Sequence, residues 1–220
     1  MQRLYRDYML AIDRTLAPVL LGLAAETNLI RAAAPALYPS VRQAANDTAA
    51  ALRAAGSSTP LAASVQVEVA WGRLGGNGGY AGIDTDFADF PFVQTLGLSS
   101  YLYFRLHRAR GRAAGLLHAA CSGARRLPVM VMEGGWPSVG VGIDRLLQKQ
   151  VRYVTRQAQL VDAAGATRRG CTCCSPTSTW PRCRSRCRPT CLATIGLADS
   201  NFTPKPALAA WDNLPARPRA

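Results

Sequence analysis

This 220-residue chain contains three glutamates, Glu26, Glu68 and Glu133. Two of them, Glu26 and Glu133, end or directly follow uninterrupted apolar runs at 19–25 and 127–132. A lone carboxylate is costly in such a place unless it opens on a solvated cleft or meets a partner. Two carboxyls delivered to one rim can serve as general acid and nucleophile in the cleavage of a glycosidic bond. Trp71, Tyr101, Tyr103 and Trp136 stand at or just beyond the ends of similar runs, where aromatic faces stack on the apolar faces of sugar rings. Glu26 and Glu133 are therefore the candidate catalytic residues, and the four aromatics are candidates for substrate binding or for packing over the same rim. Glu68 alternates with Gln66 along a third run, and its expected role is a structural hydrogen bond to Gln66 or to a neighbouring strand. The chemistry needs no cofactor, and its partner is a carbohydrate.

Such groups must be held by elements that alternate strand and helix. Leu4, Tyr8, Ala11, Ile12 and Leu16 recur at helical spacing over residues 1–17, and Pro18 ends that pattern before the run 19–25. Residues 39–55 read as a helix stopped by Gly56, and 61–71 as a strand with Val65, Val67 and Val69 on one face and Gln66, Glu68 and Ala70 on the other. Further helices are expected over 87–95, 145–164 and 206–214, with strands over 96–101 and 127–132. The alternation demands a parallel sheet with crossover helices outside it, and such a sheet places its chemistry at the carboxyl ends of the strands. The glycines of 72–79 lack the Lys-Ser/Thr pair of a phosphate loop and read as part of a flexible rim loop.

The formal charge of +13 suggests nucleic acid or an acidic membrane until its distribution is examined. Residues 105–126 and 168–191 each carry six arginines and no acid, and together they hold all seven cysteines and both histidines. The rest of the chain has 14 basic and 13 acidic groups. Neither window has apolar periodicity, so neither nucleic acid nor a membrane is the expected partner. Arg, Ala, Gly, Pro, Ser and Cys are what a GC-rich frame yields when shifted, and both windows read as irregular, out-of-frame inserts. The alternative is a non-catalytic basic Cys/Arg-rich surface that binds a partner or a metal. Cys171, Cys173 and Cys174, followed by Cys183, Cys187 and Cys191, lack the paired C-x2-C of structural zinc sites, and no metal site is expected. No apolar run approaches the ~20 residues of a membrane span, and Asp13 and Arg14 precede the leucine-rich stretch as they would not in a signal peptide.

The strings LGLAAETN (21–28), VQVEVAWGRLGG (65–76), LGLSSYLYF (96–104), LPVMVMEGGW (127–136) and IGLADSNFTPKPALAAW (195–211) resemble the second half of a retaining (β/α)8-barrel glycoside hydrolase of the clan that includes the arabinogalactan endo-β-1,4-galactanases. That resemblance implies an α/β fold, a partial TIM barrel of about strands 4 to 8, forming a single domain over 1–220 interrupted by the two inserts. It implies that Glu26 is the general acid/base at the end of the fourth strand and Glu133 the nucleophile at the end of the seventh. It also implies that Tyr101 bonds the nucleophile. The clan usually has Asn directly before the acid/base, where this chain has Ala25, and Asn28 is the candidate for that contact to the substrate. Strands one to three have no counterpart in the chain, which reads as a fragment of a longer gene whose product is weakly active or inactive alone. Clan members are often secreted, and any signal would precede the preserved part.

Overall fold

A computed structural model of the chain describes residues 1–70, 72, 83–101, 127–138, 146–163, 195–199 and 201–214. Its elements, in order, are α1 (Gln2–Leu16), β1 (Leu21–Ala24), α2 (Thr27–Ala33), α3 (Tyr38–Ala54), β2 (Leu61–Gln66), α4 (Val67–Ala70), α5 (Asp84–Asp89), β3 (Thr95–Ser100), β4 (Val129–Gly134), α6 (Leu146–Ala163) and α7 (Pro206–Asp212). The strands form one sheet in the order β1-β2-β3-β4, and every pairing is parallel. This is the parallel α/β arrangement expected of consecutive barrel units. The two Arg/Cys windows, and with them the region expected to hold an eighth strand, lie outside the described residues.

Local chemistry sets the helix ends. Ala17 takes a left-handed conformation and returns its N–H to the Asp13 carbonyl, so α1 stops before Pro18. Gly56, at φ 80°, closes α3, with the Ser57 N–H donating back to the Leu52 carbonyl.

One face of the sheet packs on the helices. Leu21, Leu23, Leu61 and Ala63 meet Met9 of α1, Ala45, Ala49 and Leu52 of α3, and Phe90 and Val93 beyond α5. Farther along the sheet, Val65, Leu96, Leu98 and Val129 form a second cluster with Val67, Ala70 and Ile83. Alternate residues face the other way, where Ser64, Gly97 and Met132 crowd together. A Cβ on Gly97 would meet the Met132 sulfur and lie 2.8 Å from the Cβ of Ser64, so only glycine fits there.

The clearest departures from the sequence expectation are three shifted elements and one unforeseen helix. The strand expected over 61–71 ends at Gln66, and Val67–Ala70 turns as a helix, so Val67, Glu68 and Val69 do not alternate between sheet faces. The cause lies in Asn28, whose side-chain oxygen accepts the Gln66 N–H and whose amide donates to the Gln66 carbonyl, both at 2.8 Å. A side chain thus takes the place of the next ladder partner, while the Gln66 side chain accepts the Val69 N–H at 2.7 Å and bends the chain. The short helix expected over 87–95 occupies Asp84–Asp89, where Asp84 and Asp86 favour the first turn and Pro91 halts continuation. The strand expected over 127–132 runs from Val129 to Gly134. Helix α2 was not expected, because seven residues are too few to display an apolar period.

Candidate active site

Glu26 and Glu133 stand at the carboxyl ends of the two outer strands of the sheet. Glu133 is the fifth residue of β4 and is paired across the ladder with Ser99 of β3. Glu26 follows β1 and caps α2 with φ 48°, a left-handed conformation that a non-glycine residue holds only under constraint from its surroundings. That constraint is visible: its N–H donates to Ser64 Oγ at 2.9 Å, while the Ser99 hydroxyl donates to its Oε1 at 2.5 Å. Ser99 therefore stands beside Glu133 in the ladder and reaches Glu26 with its side chain. One β3 residue ties the two carboxylates to the same rim.

Both carboxylate-bearing strands carry a one-residue register shift just before the glutamate. Gly22 and Ala24 of β1 pair with successive β2 residues, passing over Leu23, and Val131 and Glu133 pair with successive β3 residues, passing over Met132. The central β2–β3 ladder runs without a break. An extra residue re-aims the side chain that follows it, and such bulges are concentrated next to active sites.

The electrostatics separate the groups. Burial pushes the Glu26 carboxyl above the ordinary carboxylate range, donation by Ser99 pulls it partly back, and the charges of Glu133 and Glu68 push it up again. The Tyr101 hydroxyl donates to Glu133 Oε2 at 3.1 Å, the contact expected of a tyrosine at this place. Glu68 is about 1 % exposed, and the structural hydrogen bond expected to Gln66 or to a neighbouring strand is made to both: Gln66 Nε2 donates to its Oε2 at 2.5 Å, and Ser100 of the neighbouring strand donates to its Oε1 at 2.7 Å. Burial raises Glu68 as well, against four hydrogen bonds that lower it.

The remaining candidates are placed as follows. Asn28 lies beneath the rim, about 1 % exposed, with its amide engaged by the Gln66 backbone and its oxygen also accepting the Leu29 N–H. Trp136 is 7 % exposed and packs on Tyr153 of α6 at a ring separation of 6.2 Å, in a cluster with Val154, Leu197 and Ala207. Trp71 and Tyr103 lie outside the described residues, as do the glycines of the 73–79 segment, the cysteines and the histidines. Ser64, Ser99 and Ser100 were missed from sequence, although the polar pair that ends the run LGLSS was a visible signal. A partly buried trio linking α2 to α5 was missed too: Thr27 donates to Asp86 at 2.8 Å, and Arg31 pairs with Asp86 at 3.0 Å. Among the described residues no group of three or more His, Cys, Asp or Glu side chains is arranged to hold a metal ion, and no helix is long and apolar enough to cross a membrane.

No family model and no curated protein sequence matches the chain. Solved structures of similar fold include a GH2 β-galacturonidase from Eisenbergiella tayi bound to galacturonate, with a TM-score of 0.61 and 12 % identity over 99 % of this chain and 37 % of that one. The GH53 catalytic domain of Ignisphaera aggregans matches with a TM-score of 0.61 and 12 % identity, covering 97 % of this chain and 65 % of the other. A Faecalibacterium prausnitzii β-glucuronidase matches at 0.59 and 15 %, over 99 % of this chain and 35 % of its own length. The chain thus spans about one third to two thirds of these proteins. The fold is α/β, a four-stranded parallel part of a (β/α)8 barrel with its helices around it.

Proposed function

We propose that the chain carries both catalytic carboxyls of a retaining glycoside hydrolase, acting on β-glycosidic bonds of a plant-type, galactan-like polysaccharide or oligosaccharide. The observation that carries this reading is the pair Glu26 and Glu133, delivered by β1 and β4 to one rim and joined through Ser99. A retaining mechanism requires carboxyls about 5 to 5.5 Å apart, and a bridge of one serine side chain and one ladder step suits that spacing.

In the first step Glu133 attacks the anomeric carbon, the bond to the leaving oxygen breaks, and that oxygen takes the proton of Glu26. In the second, Glu26 removes a proton from water, the water oxygen bonds to the anomeric carbon, and the ester to Glu133 breaks. The raised proton affinity of Glu26 suits it to the acid role. Tyr101 orients Glu133, and Asn28 acts by fixing the end of β2 and the start of α2 beneath Glu26. Trp136 supports the rim from below, and Trp71 and Tyr103 are the proposed sugar-stacking faces.

The test is a trapping experiment with a 2-deoxy-2-fluoro-β-galactoside bearing a dinitrophenolate leaving group. The fluorine slows both steps and the leaving group rescues the first, so a glycosyl-enzyme accumulates. Intact mass should rise by one glycosyl unit, and peptide mapping should place it on Glu133. Adduct on another residue, or an equal mass gain in Glu133→Ala, would refute the assignment.

A further inference from the structure

Tyr153 of α6 is buried with Trp136, Val154, Leu197 and Ala207, and its ring carries a hydroxyl to the backbone of the sheet. That hydroxyl donates to the Ser100 carbonyl at 3.1 Å and accepts from Gln157 Nε2, one helical turn farther along α6, at 3.0 Å. The path to Ser100 is open because residue 134 is glycine: a Cβ there would meet the Tyr153 hydroxyl oxygen and stand 2.8 Å from Gln157 Nε2. Gly134 directly follows Glu133 and is the ladder partner of Ser100, so the hydroxyl enters at the last β3–β4 pair, one step beyond the pair of Ser99 and Glu133. Ser100 is held a second time by its own side chain, which donates to Glu68 Oε1 at 2.7 Å. The carbonyl that Tyr153 binds belongs to the peptide leading into Tyr101, whose hydroxyl donates to Glu133 Oε2.

We propose that Tyr153 is a positioning residue for Glu133: through the gap at Gly134 it fixes the Ser100–Tyr101 peptide, and with it the Tyr101 hydroxyl that orients the nucleophile. Three hydrogen bonds lead from α6 to the carboxylate, from Gln157 to Tyr153, from Tyr153 to Ser100 and from Tyr101 to Glu133. Gln157 sets the direction of the first links, because an amide that donates to the phenol oxygen leaves the phenol's own proton for the Ser100 carbonyl. The buried ring turns about only two torsions and is packed on Trp136, so it holds its oxygen more firmly than a long aliphatic side chain would. Such support matters at a reacting group, where a displacement on the order of 1 Å is enough to slow the chemistry. The inference rests on the glycosidase reading only for the role of Glu133 as nucleophile; the hold of Tyr153 on Tyr101 stands on the contacts themselves.

The test follows the Tyr101 hydroxyl in the full chain with tyrosine labelled with carbon-13 at Cζ, the ring carbon that bears the oxygen. The chain has seven tyrosines, and Tyr101→Phe assigns the signal. Glu133→Ala removes the acceptor and defines the shift of a Tyr101 hydroxyl that has left the nucleophile. In Tyr153→Phe the Tyr101 signal should move toward that shift, and a signal that stays in place would overturn the proposal. Should Tyr153→Phe not fold, Gly134→Ala drives the hydroxyl off its carbonyl by contact, and the Tyr101 signal should move in the same direction; no movement would overturn the proposal. Where both fold, the double variant should move the signal no farther than Gly134→Ala alone, because the bond is already broken, and additive movement would overturn it. These spectra need no sugar, so a chain that forms no glycosyl-enzyme can still pass or fail them. Where the adduct forms, Tyr153→Phe should lower its limiting rate of formation by about twofold to tenfold, the weight of one neutral hydrogen bond, with the half-saturating concentration unchanged. A change confined to half-saturation would overturn the proposal.

Discussion

Glu26 accepts from one serine and Glu133 from one tyrosine, and each residue can be tested through its own partner. Burial and two like charges raise Glu26 above its ordinary value of 4.5, so its proton persists to higher pH than that of a free glutamate. The protonated form is the one that donates, and kcat/KM should therefore fall as pH rises through the raised value. Glu26→Ala should remove that alkaline limb and slow substrates with poor leaving groups by about 10²–10⁴-fold, while sparing dinitrophenyl glycosides. Retention of the limb in the variant would assign it to another group. Tyr101→Phe deletes the hydroxyl that holds Glu133, a hydrogen bond to a charged group worth about 1.5–3 kcal/mol. Its kcat should drop by roughly tenfold or more with KM little changed, and a loss confined to KM would place Tyr101 in binding rather than in orienting the nucleophile.

At the scale of elements, the parallel strand order was legible because the strands lie in largely apolar runs separated by helical patterns, and the two central ones, β2 and β3, are buried on both faces. The run Val65–Ala70 alternates as a strand should, yet it turns after Gln66 because Asn28, 38 positions earlier, closes the ladder with its side chain. No local pattern reports a contact of that separation, and the serines that hold Glu26 stayed hidden for the same reason. The carboxylates were legible because a charge at the end of an apolar run is conspicuous by itself. Asn28→Ala should cost about 2–4 kcal/mol in urea unfolding, since it leaves buried N–H and C=O groups of Gln66 unpaired. A cost below about 1 kcal/mol would mean that β2 ends for another reason. Gly97→Ala should destabilise by about 1–3 kcal/mol through overpacking. Trimming Met132 to alanine in the same chain should recover only part of that, because Ser64 Cβ, at 2.8 Å, is fixed to its strand and cannot swing away as a thioether can. Full recovery would locate the strain in Met132 alone.

For the whole molecule the open question is what borders β1, which pairs on one side with β2 and has no other strand partner among the described residues. The helix before it carries large apolar side chains outward: Leu4, Tyr8 and Leu16 are 73 %, 61 % and 69 % exposed, and Val19 in the following link is exposed as well. The same helix buries Met9 against the sheet, so it has one face seated in the core and another that is apolar without being covered. A parallel sheet edge beside an uncovered apolar face favours association, because both the unpaired backbone groups and the side chains gain by contact. The chain matches only part of the length of the barrels it resembles, so this edge lies where a closed barrel continues. Sedimentation velocity over a range of concentrations should then reveal reversible self-association at neutral pH. Replacing Leu4, Tyr8 and Leu16 together with lysine should shift the distribution toward monomer, since charge on an edge-flanking surface opposes such contacts while the buried face of α1 is left intact. A sedimentation coefficient independent of concentration in the unsubstituted chain would refute the association, and one equally dependent in the triple variant would place it on a different surface.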